Sequence, residues 1–517
     1  MSNNYLFALT ITPIQSFIAQ AKSTKDFYSG SQIISKLIQE LLEVFLKHDI
    51  EVIFPKDKSI VSNKIIVKID ISDQERIIGE LQQKVDEFLL LDTLCNGIKL
   101  KTDSKSKEQL QDVFKLFYAS VEIKNGYQES YLELEKSLAM VKNLRPFNPI
   151  ISKNICYVCG VRESYCRDNE NKKRCSVCYL KSKYDDSRYL STAGIASLFW
   201  QQNIDTRAYI KEFKSFDEAL FFEENLDQEY LQRHHKMELD NRKIKTLKEK
   251  RNRLSMQKKP TKQYALINFD GDNIGKILSN GLDGIELEAF HKEFSTKLSS
   301  FAKEVKELIS DEKGRVIYSG GDDFLGFVTL YYLDEVLEKI RESFETNVNT
   351  YQEPISYSTA IVIAHYKAPL HKIIQHSRAL LDETKKRYSS HSTLVKGGVG
   401  MEIYSTTSLL AKFIGEREEF VLLNTLLGKK VNLYPLQQIF YFAKEDMSYS
   451  EYLQLFKMIK IELNRFLLRK EVGFSNREIV AIEKLLLSQV QESYIIDLEN
   501  FFGFFKTIEQ LSKDSYE

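Results

Sequence analysis

Val316-Ile-Tyr-Ser-Gly-Gly-Asp-Asp-Phe-Leu-Gly-Phe-Val328 is the stretch on which the reading of this chain turns. Apolar residues run up to Ser319, give way to Gly320-Gly321-Asp322-Asp323, and resume through Val328. Two β-prone runs joined across paired glycines predict a hairpin, because glycine supplies the positive φ that a tight reversal needs. Such a turn presents two adjacent carboxylates at the end of a sheet. Hard oxygen ligands of this kind hold Mg²⁺, which offsets phosphate charge and orients an attacking hydroxyl. A solvated hairpin tip would carry the same residues, since Gly-Asp turns are common and most are inert. The surrounding sequence has to decide between the two.

Fifty residues earlier, the run Tyr264–Phe269 (YALINF) reads as a buried strand ending in Asp270-Gly271-Asp272-Asn273-Ile274-Gly275-Lys276. An acid at the C-terminal end of a buried strand points into the cleft where α/β sheets collect ligands. Gly271 and Gly275 would let backbone N–H groups approach a phosphate, and the helix that follows would offer its positive N-terminus. Asp-Gly-Asp alone is also a common turn. With one helix (about 285–308) between the two motifs, Asp270 comes beside Asp322 and Asp323, and carboxylates converging at one sheet end repel strongly without cations. A two-metal site resolves that repulsion. Further on, a helix (333–347), a strand (356–364) and a helix (369–387) complete a ferredoxin-like palm. Lys385 at the end of the last helix either reaches a triphosphate or caps its own helix C-terminus.

Toward the N-terminus, residues 5–11 read as a buried strand, and Thr12-Pro13-Ile14-Gln15 as a capping box with Thr12 at N-cap. A short amphipathic helix, the polar segment STKDFYSGS, a second helix from Gln32 to about Lys47, strands at 51–54 and 63–70, and a helix around 73–91 follow. That order suggests a first ferredoxin-like domain. It has no counterpart of the glycine-aspartate hairpin, so it is expected to be catalytically silent. Residues 106–143 look helical. Cys156-x₂-Cys159 and Cys175-x₂-Cys178 then stand fifteen residues apart, the spacing of a four-thiolate zinc knuckle, closed and therefore structural. Cys166 is a spare and Cys95 a small hydrophobe. Residues 181–260 read as helical and charged, and the basic run around RKIKTLKEKRNR as a solvated helix or, less economically, a face toward RNA. Residues 401–517 read as helices.

Composition bounds the rest. The chain has 517 residues, 43% hydrophobic and 28% charged, with 73 basic and 73 acidic side chains. Zero net charge argues against a free-standing DNA binder, which usually carries a basic excess. No segment approaches the ~20 apolar residues that span a bilayer. The first residues lack a basic n-region and a cleavage site, and clustered cysteines favour metal over disulfides, so a cytoplasmic location is expected. The expected architecture is α+β: a first palm over 1–125, a zinc-binding helical module over 126–260, a second palm over 261–400 and a helical docking domain over 401–517.

Taken together, TPIQSFIAQAKSTKDFYSGS, the four cysteines, Leu190–Ala196 (LSTAGIA), DGDNIGK and YSGGDD resemble the large subunit of type III-B (Cmr) CRISPR effector complexes, a family of polymerase/cyclase palms. The resemblance implies an inactive first palm facing a catalytic second one, with ATP between them. It implies that target RNA paired with CRISPR RNA switches on the conversion of ATP into 3′–5′ cyclic oligoadenylates, alongside other Cmr subunits. Asp322 and Asp323 would hold Mg²⁺ or Mn²⁺, Asp270 would complete the site, and Asp272 is a further candidate. Gly271, Gly275, Lys276, Ser319, Gly320, Gly321 and Lys385 would meet nucleotide on one side. Gln15, Ser16, Ser29, Gly30 and Ser31 would line the facing pocket. Many relatives carry an HD nuclease domain; of the eight histidines here only His48 precedes residue 234, so no DNase activity is expected. Two alternatives remain open: joining AMP to S-adenosylmethionine at the same site, and a silent scaffold, which would have no need of so many carboxylates at one sheet end. A stand-alone dinucleotide cyclase fits the hairpin but not the zinc module.

Overall fold

A computed structural model of the chain describes residues 4–57, 62–95, 104–143, 153–168, 171–184, 189–254, 259–387 and 397–417, with a few single residues between 448 and 480. The expected C-terminal helical domain lies almost wholly outside the described residues. Among those described, no helix is long and apolar enough to cross a membrane.

The first unit runs β1 (Asn4–Thr12), α1 (Gln15–Ala19), α2 (Thr24–Lys47), β2 (Glu51–Phe54), β3 (Lys64–Asp70), α3 (Ile71–Cys95), α4 (Ser104–Gln111), β4 (Lys115–Glu122) and α5 (Tyr127–Asn143). Its antiparallel sheet has the order β2-β3-β1-β4, the ferredoxin-like arrangement. Three expectations change. Thr12 does not cap a helix: it is still in β1, paired with Lys115, and α1 starts behind Ile14 without a side-chain cap. The polar segment before Gln32 is helical from Thr24, because Ser23 caps α2 by accepting the Asp26 N–H at 3.1 Å. Residues 115–122 form the fourth strand rather than helix, and α5 packs on that sheet beyond the boundary expected at 125. Local pattern is weak there, and pairing with β1 decides the conformation.

A hairpin, β5 (Cys166–Arg167) with β6 (Lys173–Arg174), leads into α6 (Ser176–Lys183), which packs against α2 and α4. Short helices follow: α7 (Thr192–Ala196), α8 (Leu198–Gln202), α9 (Arg207–Ile210), α10 (Gln228–His235) and α11 (Asn241–Leu254). The basic helix α11 buries Ile244, Leu247 and Arg251 and turns most of its remaining charges to solvent, which favours the solvated-helix reading. Arg251 is spent internally, its Nε donating to the Phe221 carbonyl at 2.8 Å.

The second unit runs β7 (Gln263–Gly271), α12 (Ile274–Asn280), α13 (Leu287–Leu308), β8 (Gly314–Ser319), β9 (Phe324–Thr329), α14 (Leu333–Asn347), β10 (Tyr357–His365), α15 (Leu370–Arg387), β11 (Gly398–Tyr404) and β12 (Leu409–Glu416). The strand order β12-β11-β10-β7-β9-β8 contains the ferredoxin-like set with two strands added beside β10. The domain boundary expected at 400 therefore falls inside a strand, and residues 401–416 are sheet rather than helix. β11 is buried along its whole length, a run that period-2 alternation cannot reveal.

Strand alternation joins the two units into shared cores. Leu6 and Ala8 of β1, with α5, pack in one cluster with Ala265, Ile267 and Phe269 of β7 and with α13. Phe7, Leu9 and Ile11 pack on the opposite face, in the cluster that holds α2, Tyr264, Leu266 and α15. Polar contacts follow the same seam. Lys68 pairs with Glu288 at 2.6 Å and Lys292 with Glu51 at 2.6 Å. Tyr127 Oη lies 2.8 Å from His291 Nδ1. Arg378 of α15 donates to the Gln15 carbonyl at 2.7 Å, so the second palm grips the β1–α1 turn of the first.

Candidate active site and cysteine cluster

β7 and β9 lie antiparallel with Phe269 opposite Phe324, so Asp270, the next residue of β7, and the residues that precede β9 come together where pairing of these two strands stops. Asp270 thereby meets Asp322 and Asp323. The Gly271 N–H donates to the Asp322 carbonyl at 3.1 Å, and the Gly320 N–H to the Asp323 carbonyl at 2.9 Å. The reversal itself passes through Gly321 and Asp322, and of the two glycines only Gly321 has positive φ, +108°. Gly320 is required for space: a Cβ there would overlap the Tyr318 hydroxyl and come within 2.6 Å of Asp323 Oδ1.

Burial and neighbouring negative charge raise the proton affinity of two of the carboxylates. Burial, then repulsion from Asp270, pushes the Asp322 carboxyl up to about 7. Burial, then Asp322 and Asp270, drives the Asp323 carboxyl well above the usual carboxylate range. Lys385 opposes this: its Nζ pairs with Asp270 and donates to the Gly271 carbonyl at 2.9 Å. It neither caps α15 nor stands free for a phosphate, but supplies the positive charge beside the acids. The donor set of acceptor-only oxygens, two of them electrostatically destabilised as anions, fits a hard divalent cation. Among the described residues only the sulfur cluster has all its ligand atoms within 4.8 Å of one another. The three carboxylates are spread wider than that, and Asp270, Asp322 and Asp323 are the residues that would hold the cation.

Several expected site residues are committed elsewhere. Asp272, expected as a further metal ligand, is 1% exposed. It accepts from Ser356 Oγ (2.7 Å), Ser358 Oγ (2.8 Å) and the Gly397 N–H (3.0 Å). It clamps the start of β10 rather than facing Asp270, because residues 270 and 272 are separated by the turn out of β7. Gly271 spends its N–H on Asp322, and a Cβ on it would stand 2.5 Å from Ile274 Cγ1 and 3.0 Å from Asp322 Cβ; close packing, not phosphate approach, requires the glycine. Ser319 is buried and donates to the Ala302 carbonyl at 3.1 Å. Gly275 and Lys276 are exposed on α12, a helix of seven residues. On the facing side Gln15 and Ser16 are exposed, whereas Ser29, Gly30 and Ser31 are buried in α2.

The sulfur atoms of Cys156, Cys159, Cys175 and Cys178 all lie within 4.8 Å of one another, with Cys159 and Cys175 3.9 Å apart. Zn–S bonds of about 2.3 Å in a tetrahedron place sulfurs about 3.8 Å apart, so the group fits zinc. Cys175 caps α6, and Cys166 donates instead to the Arg174 carbonyl at 3.3 Å. The buried Lys181, on the helix that carries Cys178, donates to the carbonyls of Phe17 and Gln20, both at 2.8 Å. Its Cε lies 2.9 Å from where a Gly30 Cβ would sit. The cysteine module is thus fastened to the α1–α2 turn. Lys181, Tyr318 and Arg378 were not singled out from sequence. Only Tyr318 carried a signal, its place two residues before Gly320.

The family model for the second palm domain of Cas10/Cmr2 matches residues 263–394, the segment that carries all three acids. The model for the N-terminal region of CRISPR-associated protein Cmr2 matches residues 6–132. The chain belongs to the Cas10/Cmr2 family. The CRISPR system Cmr subunit Cmr2 of Pyrococcus furiosus is 23% identical over 532 residues, covering 76% of this chain and 61% of that protein; the chain thus spans less than two thirds of this curated relative. A type III-B Cmr-beta structure bound to cognate target RNA matches with a TM-score of 0.61 at 14% identity, over 97% of this chain and 83% of the other. A Csm1–Csm4 cassette in complex with cA4 matches with a TM-score of 0.51 at 11% identity, over 97% of this chain and 70% of the other. These Cas10/Cmr2-like folds are shared; the site chemistry rests on the residues above.

Proposed function

We propose that this chain is the nucleotidyltransferase of a type III-B CRISPR complex. In that role it makes cyclic oligoadenylates from ATP when target RNA pairs with the CRISPR RNA held by the other Cmr subunits. The observation that carries the proposal is the convergence of Asp270, Asp322 and Asp323 at one sheet end, with the Asp322 and Asp323 carboxyls raised by burial and then by the charges of their acidic neighbours. A relative of the same fold bound to cA4 supports the product class. Mg²⁺ or Mn²⁺ held by the three aspartates would supply charge neutralisation on the α-phosphate and acidify the attacking 3′-hydroxyl.

The chain's own residues do the rest. Asp270 and Lys385 form an ion pair that sets the charge at the cleft, and displacing the ammonium from Asp270 frees it to face a triphosphate. The rigid hairpin fixes Asp322 and Asp323 on the scaffold of β8 and β9, and the Arg378–Gln15 contact holds the facing first palm in place. That closeness of the palms suits a transfer in which one nucleotide's hydroxyl meets another's phosphate, where positioning supplies much of the rate. Zn²⁺ held by the four cysteines would cross-link the module that Lys181 fastens to α1 and α2.

The test is ATP turnover by the complex assembled with CRISPR RNA, in the presence of Mg²⁺ or Mn²⁺, with and without matching target RNA and S-adenosylmethionine. Cyclic oligoadenylate formed from ATP alone, only with target RNA, is the expected result. Product that requires S-adenosylmethionine keeps the site and changes the acceptor. No product under any condition leaves a scaffold.

A further inference from the structure

We propose that Tyr318 is the positioning residue of the carboxylate cluster: its phenol holds Asp323 in the orientation that receives a divalent ion, and Gly320 is glycine to let it do so. This rests on the metal-dependent transfer proposed above and adds to it a residue outside the acidic set.

Tyr318 stands in β8 opposite Leu325 of β9, its ring against the core cluster that includes Leu325 and Phe327. Its hydroxyl is hydrogen-bonded to the Asp323 carboxyl. With a cation bound, Asp323 is a carboxylate that only accepts, so the phenol donates. Gly320 lies between the two groups, and any side chain there would displace the hydroxyl and crowd Asp323 Oδ1. The two glycines of the motif therefore do different work: Gly321 turns the chain and Gly320 leaves room for the tyrosine.

The groups around this hydroxyl are Asp323, Asp322 and, farther off, Asp270 with its partner Lys385. Without the donor, Asp323 would be free to rotate away from its neighbours, whose repulsion favours that. Hydrogen bonds to metal-ligating carboxylates fix ligand orientation, and their loss typically lowers metal affinity 10–100-fold. Tyr318→Phe keeps the ring and removes only the donor.

The experiment compares the wild-type complex with Tyr318→Phe, Gly320→Ala and the double variant. Mn²⁺ binding is followed by electron paramagnetic resonance of the free ion, and the Mn²⁺ dependence of ATP turnover is measured in parallel. Expected is a 10–100-fold weaker Mn²⁺ affinity for Tyr318→Phe, with turnover at saturating Mn²⁺ close to wild type. Gly320→Ala should show at least the same loss, and adding Tyr318→Phe to it should cost little more. Wild-type Mn²⁺ affinity in Tyr318→Phe, or lost turnover with an unchanged Mn²⁺ constant, overturns the proposal. If the wild-type complex neither binds Mn²⁺ nor forms product, the transfer function itself falls, and this assignment with it.

Discussion

Asp270 and Asp272 stand two residues apart, and the structure gives them opposite work, so replacing each by alanine should have opposite effects. Asp272 accepts three hydrogen bonds, from two serine hydroxyls and one backbone N–H, at 1% exposure. Hydrogen bonds to a charged acceptor contribute about 1.5–3 kcal/mol each, and stranded buried donors cost a similar amount. Recovering the desolvation of a buried carboxylate offsets part of that loss. The net expectation for Asp272→Ala is a destabilisation of about 3–5 kcal/mol, roughly a 10 °C fall in the melting temperature. Asp270 is 40% exposed at its side chain and repels Asp322 and Asp323. Asp270→Ala removes that repulsion along with a partly exposed ion pair, worth little by itself, so stability should hold within about 1 kcal/mol. Urea unfolding of both variants, alongside Mn²⁺ binding, reads the two effects separately. A stable Asp272→Ala that has lost metal binding, or an Asp270→Ala that unfolds, would refute this division of roles.

Two further outcomes follow from the same geometry. The Asp322 carboxyl is raised to about 7 in the folded chain against an unfolded value near 4. Between those values the native state holds a proton that the unfolded state has released. Its stabilising effect is complete below about pH 4 and is lost as pH rises through about 7. With no Mg²⁺ or Mn²⁺ added, the wild type should therefore lose more stability from pH 5 to pH 8 than Asp322→Asn; equal slopes in thermal scans would contradict it. Cys156→Ser with Cys175→Ser should release about one zinc per chain and loosen the α1–α2 turn tethered through Lys181. Full zinc content by elemental analysis, or unchanged proteolysis at that turn, would be the contrary result.

The parts of the molecule that were legible in the sequence are those where local pattern and tertiary demand agree. The apolar run of β7 led to Asp270 near the strand's end, and the glycine pair announced the β8–β9 hairpin. The cysteine spacing led directly to the sulfur cluster. β4 was missed because an edge strand between two helices carries little periodicity of its own; its partner β1 is more than a hundred residues away in the chain. The site divided along similar lines. Residue type picked out the acids, but not which of them faces the cleft: Asp272 is diverted by Ser356 and Ser358, eighty-odd residues later. The family resemblance puts Ser29, Gly30 and Ser31 in the facing pocket, within a segment that reads as polar rather than helical. In the fold all three are buried in α2, and Gly30 leaves room for the Lys181 side chain. Lys385 paired with Asp270 through tertiary proximity alone, 115 positions apart.

The central claim is that the aspartate cluster carries out metal-dependent joining of adenylates. Its most direct test is mass analysis of the products formed from ATP and Mg²⁺ by the target-bound complex, for wild type and for Asp322→Ala with Asp323→Ala. Cyclic oligoadenylate from the wild type and none from the variant, with both complexes fully assembled, is the predicted result. The same product in the same amount from both would contradict the account.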